Sequence, residues 1–324
     1  MSLVLKIKKT LKPFYVTVCK AREGKENRVA LAADLLYCKM RFHVNYDEYL
    51  QYRYYHLKNR YRKNFILYYH QKKCFPKLVS QKGFTRSKYA FYQRIPDAYG
   101  REMLYAPQCG EEAFVDFLKK HADVFVKPDC GSLGQGVRHI RYKDDTQAAE
   151  CFRTLGEGNF VCEERIRQHE VLDALNPFSV NTVRIVTLLC GDTVHIISAA
   201  LRMGARKESL TDNLNAGGIA AQINVKSGIV STFGYNGAWK RFTHHPITAQ
   251  PILGLQVPHW EALTELVSDV HKRLPQCLLY GWDIAITQTG PVIVEANNRP
   301  TTELMQMDCV PKGQILLPFL KKHK

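Results

Sequence analysis

Between residues 28 and 74 apolar positions recur three or four apart and no Gly or Pro interrupts them, which predicts a mostly helical segment. From about residue 76 the texture changes. Pro76, Gly83, Pro96, Gly100 and Pro107 break the chain into short pieces, with a helix expected over 86–94. "EEAFVDFLKKH", 111–121, is amphipathic, with acids first and bases last, the order that the helix dipole favours. Strand-like runs follow at 124–128, 136–142, 160–166, 182–190, 193–203, 218–225, 229–235, 280–288 and 291–298. Several are joined by hairpin-type turns, "CGDT", "KSG" and "QTG", and helices interrupt them at about 145–155 and 259–273. Strands and helices fall in groups, without the regular alternation of a doubly wound fold, so the pattern predicts an α+β protein with antiparallel sheets.

Composition excludes some classes. The 324 residues are 45% apolar and 23% charged, ordinary for a globular protein with two or three modest cores. No apolar run approaches the roughly 20 residues that cross a bilayer, and "MSLVLKIKK" is too short in its apolar centre for a secretory signal. The ten cysteines are scattered, without a C-x-x-C pair or zinc-site spacing, which fits a reduced, cytoplasmic compartment.

The net charge of +16 is uneven: residues 1–75 hold 17 Lys and Arg against 5 acids. Within 49–73 seven Tyr interleave with seven Lys or Arg and no acid. Such a segment can dock on an anionic membrane or a partner, or can be a helix whose Tyr bodies pack inward beneath solvated basic heads. No nucleic-acid motif accompanies the charge, so nucleic acid is not an expected partner.

Three stretches carry chemistry. In "VKPDCGSLGQGV", 126–137, a strand ends on Lys127 before a turn holding Gly131, Ser132, Gly134 and Gly136. Glycines let backbone N–H groups approach phosphate oxygens, and the lysine adds a point charge. A Walker loop would need Gly-Lys-Ser/Thr, a dinucleotide fingerprint would run into a helix, and a kinase would need H-R-D and D-F-G; none fits, and the loop alone could equally be a mobile hairpin. In "FVCEERIRQHE", 160–170, a strand leads into Glu163, Ile166 and Glu170. Backbone groups of an extended segment can hold an adenine ring while a carboxylate takes ribose hydroxyls, although a surface strand ending in charges has the same look. In "GWDIAI" and "VIVEANN", Asp283 lies in one strand and Glu295 and Asn297 close the next, across the "TQTG" turn. Antiparallel pairing brings Asp283 and Glu295 within reach, and Glu295 and Asn297, two apart, share a face. Clustered acids repel and cost desolvation unless something joins them, and Mg2+ bridging nucleotide phosphates would do so.

A lysine before a Gly-rich hairpin, a Glu-x-x-Ile strand, an Asp strand and a final E-x-N strand occur in this order in ATP-grasp enzymes, which this sequence resembles over roughly residues 76–318. "NPFSVNTVRIVT" at 176–187 and "DNLNAGG" at 212–218 look most like the sugar-transfer-associated branch, related to α-L-glutamate ligases. The resemblance implies a nucleotide held between two antiparallel-sheet subdomains: a basic helical extension over 1–75, a linking subdomain over 76–122, a lid with the Gly-rich flap over 123–170, and a C-terminal subdomain with the metal site over 171–324. It implies ATP and Mg2+ as cofactors. Lys127, and Lys82 in "SQKGF", would contact phosphates; Gly131, Ser132, Gly134 and Gly136 would form the flap; Glu163 and Ile166 would line the adenine site, with Glu170 at the ribose; Asp283, Glu295 and Asn297 would hold the metal. Arg184 and Arg202 are the cations chosen to steady the transferred phosphoryl group. The implied activity is an ADP-forming carboxylate–amine ligase, joining a small acid to an amine such as an amino sugar in surface polysaccharide synthesis; the charge pattern of 49–73 separately suggests contact with the inner membrane face or a glycosyltransferase. A kinase of the same fold and a nucleotide-binding scaffold are the alternatives.

Overall fold

The computed structural model describes residues 3–22, 27–81, 85–131, 135–156, 158–207, 212, 214 and 217–322. Lys82, Ser132 and Gly134 lie outside the described residues. The chain forms two compact units, Met1–Leu78 with Arg299–Lys324, and Val79–Asn298.

The first unit opens with α1 (Leu3–Ala21), α2 (Arg28–Phe42), α3 (Tyr46–Gln51), α4 (Asn59–Arg62) and α5 (Tyr68–Lys73). Local chemistry cuts the helical run into pieces. Asn27 caps α2 by accepting from the Val29 N–H, α2 ends on His43 in the left-handed region, and Asn45 and Glu48 form a capping box at α3. The core here is Leu31, Leu35, Cys38, Tyr49, Tyr52, Tyr54 and Phe65, with the Tyr52 and Phe65 rings stacked at 4.7 Å. Of the two readings of 49–73, the packing one describes most of its tyrosines. Tyr49, Tyr52 and Tyr54 are buried, and Arg62 is buried with them, donating to Asp34 and to the Tyr54 carbonyl. The interleaved tyrosines are mostly the inward face of the helical segment.

In the second unit, α6 (Lys88–Tyr92) and α7 (Pro96–Tyr99) precede β1 (Met103–Tyr105), α8 (Glu111–His121), β2 (Asp123–Pro128), β3 (Arg138–Arg141), α9 (Asp145–Leu155) and β4 (Phe160–Glu164). The strands form an antiparallel sheet in the order β1-β4-β2-β3. Val124, Val126, Phe160 and Cys162 turn to one face, packed with Phe114, Phe117 and Leu118 of α8 and Ala148 of α9. By the two-residue period of strands, Phe125, Lys127, Val161 and Glu163 occupy the other face. β1 and α8 share this layer with β2, β3 and β4, across the boundary expected at 122/123.

After α10 (Glu170–Leu175) come β5 (Thr182–Cys190), β6 (Thr193–Met203), β7 (Ile219–Ile223), β8 (Gly234–Asn236), β9 (Arg241–Phe242), α11 (Trp260–Arg273), β10 (Leu279–Thr287) and β11 (Gly290–Asn297). They build a seven-stranded antiparallel sheet in the order β11-β10-β5-β6-β7-β8-β9. One face buries Val183, Ile185, Ala199, Leu201, Trp282, Ile284 and Ile293 beneath Leu263, Val267 and Val270 of α11. The alternate positions, among them Arg184, Arg202 and Asp283, turn to the opposite face. The run 229–235, expected as a strand, enters the ladder only from Gly234; Ile229 and Val230 make single bridges to Gln256 and Ile223. Finally α12 (Thr302–Met305) and α13 (Gly313–Lys322) cluster with the first unit, so residues 299–324 leave the metal subdomain in which the sequence placed them. No helix among the described residues is long and apolar enough to cross a membrane.

Candidate functional site

Three neighbouring strands carry one charged row. Arg184 on β5 is opposite Asp283 on β10, and Asp283 is opposite Glu295 on β11. A bulge beside Asp283 makes this register: Ile284 pairs with Ile293, so Val294 is the extra residue and Glu295 returns to the face of Asp283. Arg184 donates from Nε and Nη2 to the two Asp283 oxygens at 2.5 and 2.9 Å. Arg202 adds Nη1 to Asp283 Oδ2 at 2.7 Å and Nη2 to Asp212 Oδ1 at 2.9 Å. Asp212 also accepts from the backbone N–H and hydroxyl of Thr182. Burial would raise the Asp283 carboxyl, but Arg184 and Arg202 override it and hold it down at about 2. For Asp212 burial wins and its carboxyl is raised.

Asp283, expected as a metal ligand, is thus the anion that fixes two arginines, with both oxygens engaged. Glu295 differs. It is exposed and makes no ion pair among the described residues, while Asn297, two positions on, has a buried side-chain nitrogen without a hydrogen-bond partner. The unpartnered Nδ2 is a donor and binds no cation; the oxygens on this face, the Glu295 carboxylate and the Asn297 side-chain carbonyl, are the hard donors that Mg2+ takes.

A second constellation lies on the four-stranded sheet. Lys127 Nζ donates to Glu163 Oε2 at 2.5 Å, Arg101 Nη2 reaches the same oxygen at 3.0 Å, and the Tyr99 hydroxyl donates to Oε1 at 3.2 Å. The Glu163 side chain is only 2% exposed. Burial pushes its carboxyl up, but Arg101 and Lys127 bring it down to about 2. Its carboxylate is committed to orienting Lys127, a role not anticipated from a residue expected against adenine. Arg101 also donates to the Ile293 carbonyl, and Tyr99 to the Val294 carbonyl, tying this sheet to β11 at its bulge.

A cleft of about 660 Å³ is lined by Arg86, Lys88, Cys130 and Gly131 together with Tyr99 of the second constellation and Glu295 and Asn297 of the first, within the size range of small-molecule sites. Lys88, which sequence reading passed over, lines this cleft. Ser87 caps α6 and donates to Asp129, while Lys88 Nζ donates to the carbonyls of Pro128 and Asp129 at 2.7 and 3.2 Å. Its pKa is lowered by burial and by Lys127, and it also feels Glu163, Glu295 and Asp129. A helix-capping serine directly before a lysine was the available signal. Gly136 has a left-handed φ of 73°, and a Cβ there would sit 2.9 Å from Pro128 Cγ, so this end of the turn needs glycine. Ile166, half-buried, follows β4, and Glu170 opens α10, exposed and without a side-chain hydrogen bond or ion pair among the described residues.

Solved structures with similar architecture include the ATP-grasp ligase PsnB complexed with minimal precursor, Mg and ADP, at 13% identity and TM-score 0.42, over 73% of this chain and 57% of that one. An L-amino acid ligase from Bacillus licheniformis is 13% identical at TM-score 0.44, over 74% of this chain and 48% of that one. D-alanyl-alanine synthetase A from Vibrio cholerae O1 biovar eltor is 12% identical at TM-score 0.41, over 74% and 60%. The chain spans about half the length of these proteins. No curated protein matches it. The sequence profile of the sugar-transfer associated ATP-grasp proteins, by contrast, matches residues 51–322. That stretch holds both sheets and every charged group of the cleft, so the chain has the α+β ATP-grasp fold and belongs to the sugar-transfer associated ATP-grasp family.

Proposed function

We propose that the protein is an ATP-dependent ligase that activates a carboxylate as an acyl phosphate and joins it to an amine. The observation that carries this reading is the division of labour along the charged row. Asp283 locks Arg184 and Arg202 in place, while Glu295 and Asn297 at the cleft are left to bind.

In this reading a substrate carboxylate oxygen attacks the γ-phosphorus of ATP and ADP leaves with the broken P–O bond. An amine nitrogen then attacks the acyl carbon; phosphate departs and the amine proton is lost. Such transfers depend on alignment and charge neutralisation more than on covalent help from the protein. Lys127, held by Glu163, and Lys88 supply positive charge at the phosphates. Arg184 and Arg202 are oriented before any substrate arrives, so little reorganisation is needed as negative charge develops. Glu295 and Asn297 would hold Mg2+, which supplies Lewis-acid neutralisation of phosphate oxygens when bound. The flap from Gly131 to Gly136 would cover the phosphates. Ile166 and Glu170 follow the hinge strand, on the adenine and ribose side. The family's association with sugar transfer supports an amino sugar as acceptor, in surface polysaccharide or related glycoconjugate synthesis.

The test is incubation with Mg-ATP and pools of carboxylic acids, amino acids and amino sugars, following ADP, AMP and phosphate. ADP and phosphate released only when acid and amine are both present is the expected result. AMP with pyrophosphate would overturn the reading.

A further inference from the structure

We propose that α2 docks this protein on anionic membrane surfaces, lying in the plane of the bilayer interface. The helix is apolar on two opposite sides. Leu31, Leu35 and Cys38 face the core. At about 100° per residue, Val29, Ala33, Leu36 and Met40 fall within an arc of about 60° on the far side. They are exposed, Val29 at 76%, Leu36 at 50% and Met40 at 67%, with Ala33 between them and Tyr37 at 40% on the flank. A surface helix ordinarily turns one apolar stripe inward and polar groups to water. A second stripe of large apolar side chains marks a surface that something covers.

Charge decides what covers it. Asp34 is the one acid in α2, and Arg62 grips its two oxygens at 2.7 and 2.9 Å, neutralising it within the unit. The cations stay outside: Arg28 and Arg41 at the ends of α2, and Lys58, Arg60 and Lys63 around α4, are all exposed. Asn59 Nδ2 donates to the Tyr37 hydroxyl at 3.1 Å, joining the flank of the stripe to α4. There the Arg60 guanidinium lies 4.8 Å from the centre of the exposed Tyr61 ring. The one acid of α2 pinned inward, cations outward, two tyrosines at the boundary and an apolar ridge are the complement of an anionic lipid surface. The ridge enters the headgroup and acyl boundary, the tyrosines sit at the interface, and the cations meet lipid phosphates. A second copy of the chain would set these cations against their own kind.

The test uses the full chain without nucleotide, so its outcome is independent of the ligase reading. Protein is sedimented with vesicles of phosphatidylcholine alone or with about 30% phosphatidylglycerol. Binding to the anionic vesicles only, falling steeply as salt rises toward about 0.15 M, is expected. Leu36→Glu with Met40→Glu should weaken it at least about tenfold, and Arg60→Glu with Lys63→Glu similarly. Leu36→Phe with Met40→Phe should restore it. All these positions are exposed, and circular dichroism confirms that each variant is folded; the α4 pair, away from the ridge, keeps the test decisive if the α2 pair is not. Absence of binding to anionic vesicles at low salt overturns the proposal. So does unchanged binding in folded Leu36→Glu with Met40→Glu, or a wild-type dimer in sedimentation equilibrium that this variant abolishes.

Discussion

Arg184 and Asp283 face each other across β5 and β10 and share two hydrogen bonds, while Arg202 closes on the same carboxylate from β6. The three side chains are each at least nine-tenths buried. A buried carboxylate between two guanidinium groups is stable only as a set. Asp283→Asn keeps the shape and removes the charge, leaving buried Arg184 without its counter-charge and Arg202 with Asp212 alone. It should lower stability by about 3 to 5 kcal/mol in urea unfolding and abolish turnover.

The same pairs fix how stability responds to acid. Glu163 and Asp283 are both held at about 2 in the folded state, against about 4 for ordinary carboxyls. A folded pKa below the unfolded value means that the unfolded chain binds protons first. The contribution is therefore complete above about pH 4 and lost as pH falls toward about 2. Unfolding free energy measured between these limits should decline steeply in the wild type and more gently in Glu163→Gln. Parallel slopes would mean that folding does not depress the pKa of this carboxylate.

Glu295→Gln should behave in the opposite way to Asp283→Asn. Glu295 is exposed and without an ion pair among the described residues, so stability should change by less than about 0.5 kcal/mol. Turnover should lose its dependence on Mg2+ and fall by at least about a hundredfold, because a charged oxygen donor is replaced by a neutral one. Melting temperature and a Mg2+ titration of ADP release separate the two effects.

These contrasts show what could be read from the sequence. β5, β6, α8 and α9 have the bounds that periodicity predicts, since each is a continuous apolar or amphipathic run closed by a clear stop. That Asp283 and Glu295 lie on neighbouring strands was legible too, because a short turn joins two apolar runs, but their direct opposition rests on a bulge that spacing does not show. What each acid does was not. The arginines that engage Asp283 come from strands about 80 to 100 residues earlier, and spacing says nothing about such partners. β1, three residues long, carries no period at all. The tyrosines of 49–73 repeat as a core stripe and as an interfacial stripe would, so only burial could choose between them. Lys88 was passed over because a lysine on a short helix looks like any solvated charge.

Gly136→Ala should slow the nucleotide step without unfolding the four-stranded sheet. The left-handed φ of 73° opposes a Cβ, and Pro128 stands where it would go; the two together should destabilise the turn by roughly 1 to 2 kcal/mol. A raised KM for ATP, with the global melting temperature nearly unchanged, is the expected outcome. Unaltered ATP kinetics would remove this turn from the nucleotide site.

The link between Lys127 and Glu163 permits a sharper test. If Glu163 acts by orienting Lys127, as their 2.5 Å contact indicates, it has nothing to contribute once that lysine is gone. Lys127→Ala and Glu163→Gln should each weaken ATP binding by about tenfold or more, and the double variant should be no worse than Lys127→Ala alone. If Glu163 instead touches the nucleotide directly, the two losses should add. Glu163→Gln also leaves buried Arg101 short of a counter-charge, so affinities must be measured at a temperature where all three variants are folded, as shown by a thermal scan. Titration of ATP into wild type and the three variants then gives the coupling free energy directly. A value near zero assigns Glu163 to the nucleotide, and a value close to the whole single-variant loss assigns it to Lys127.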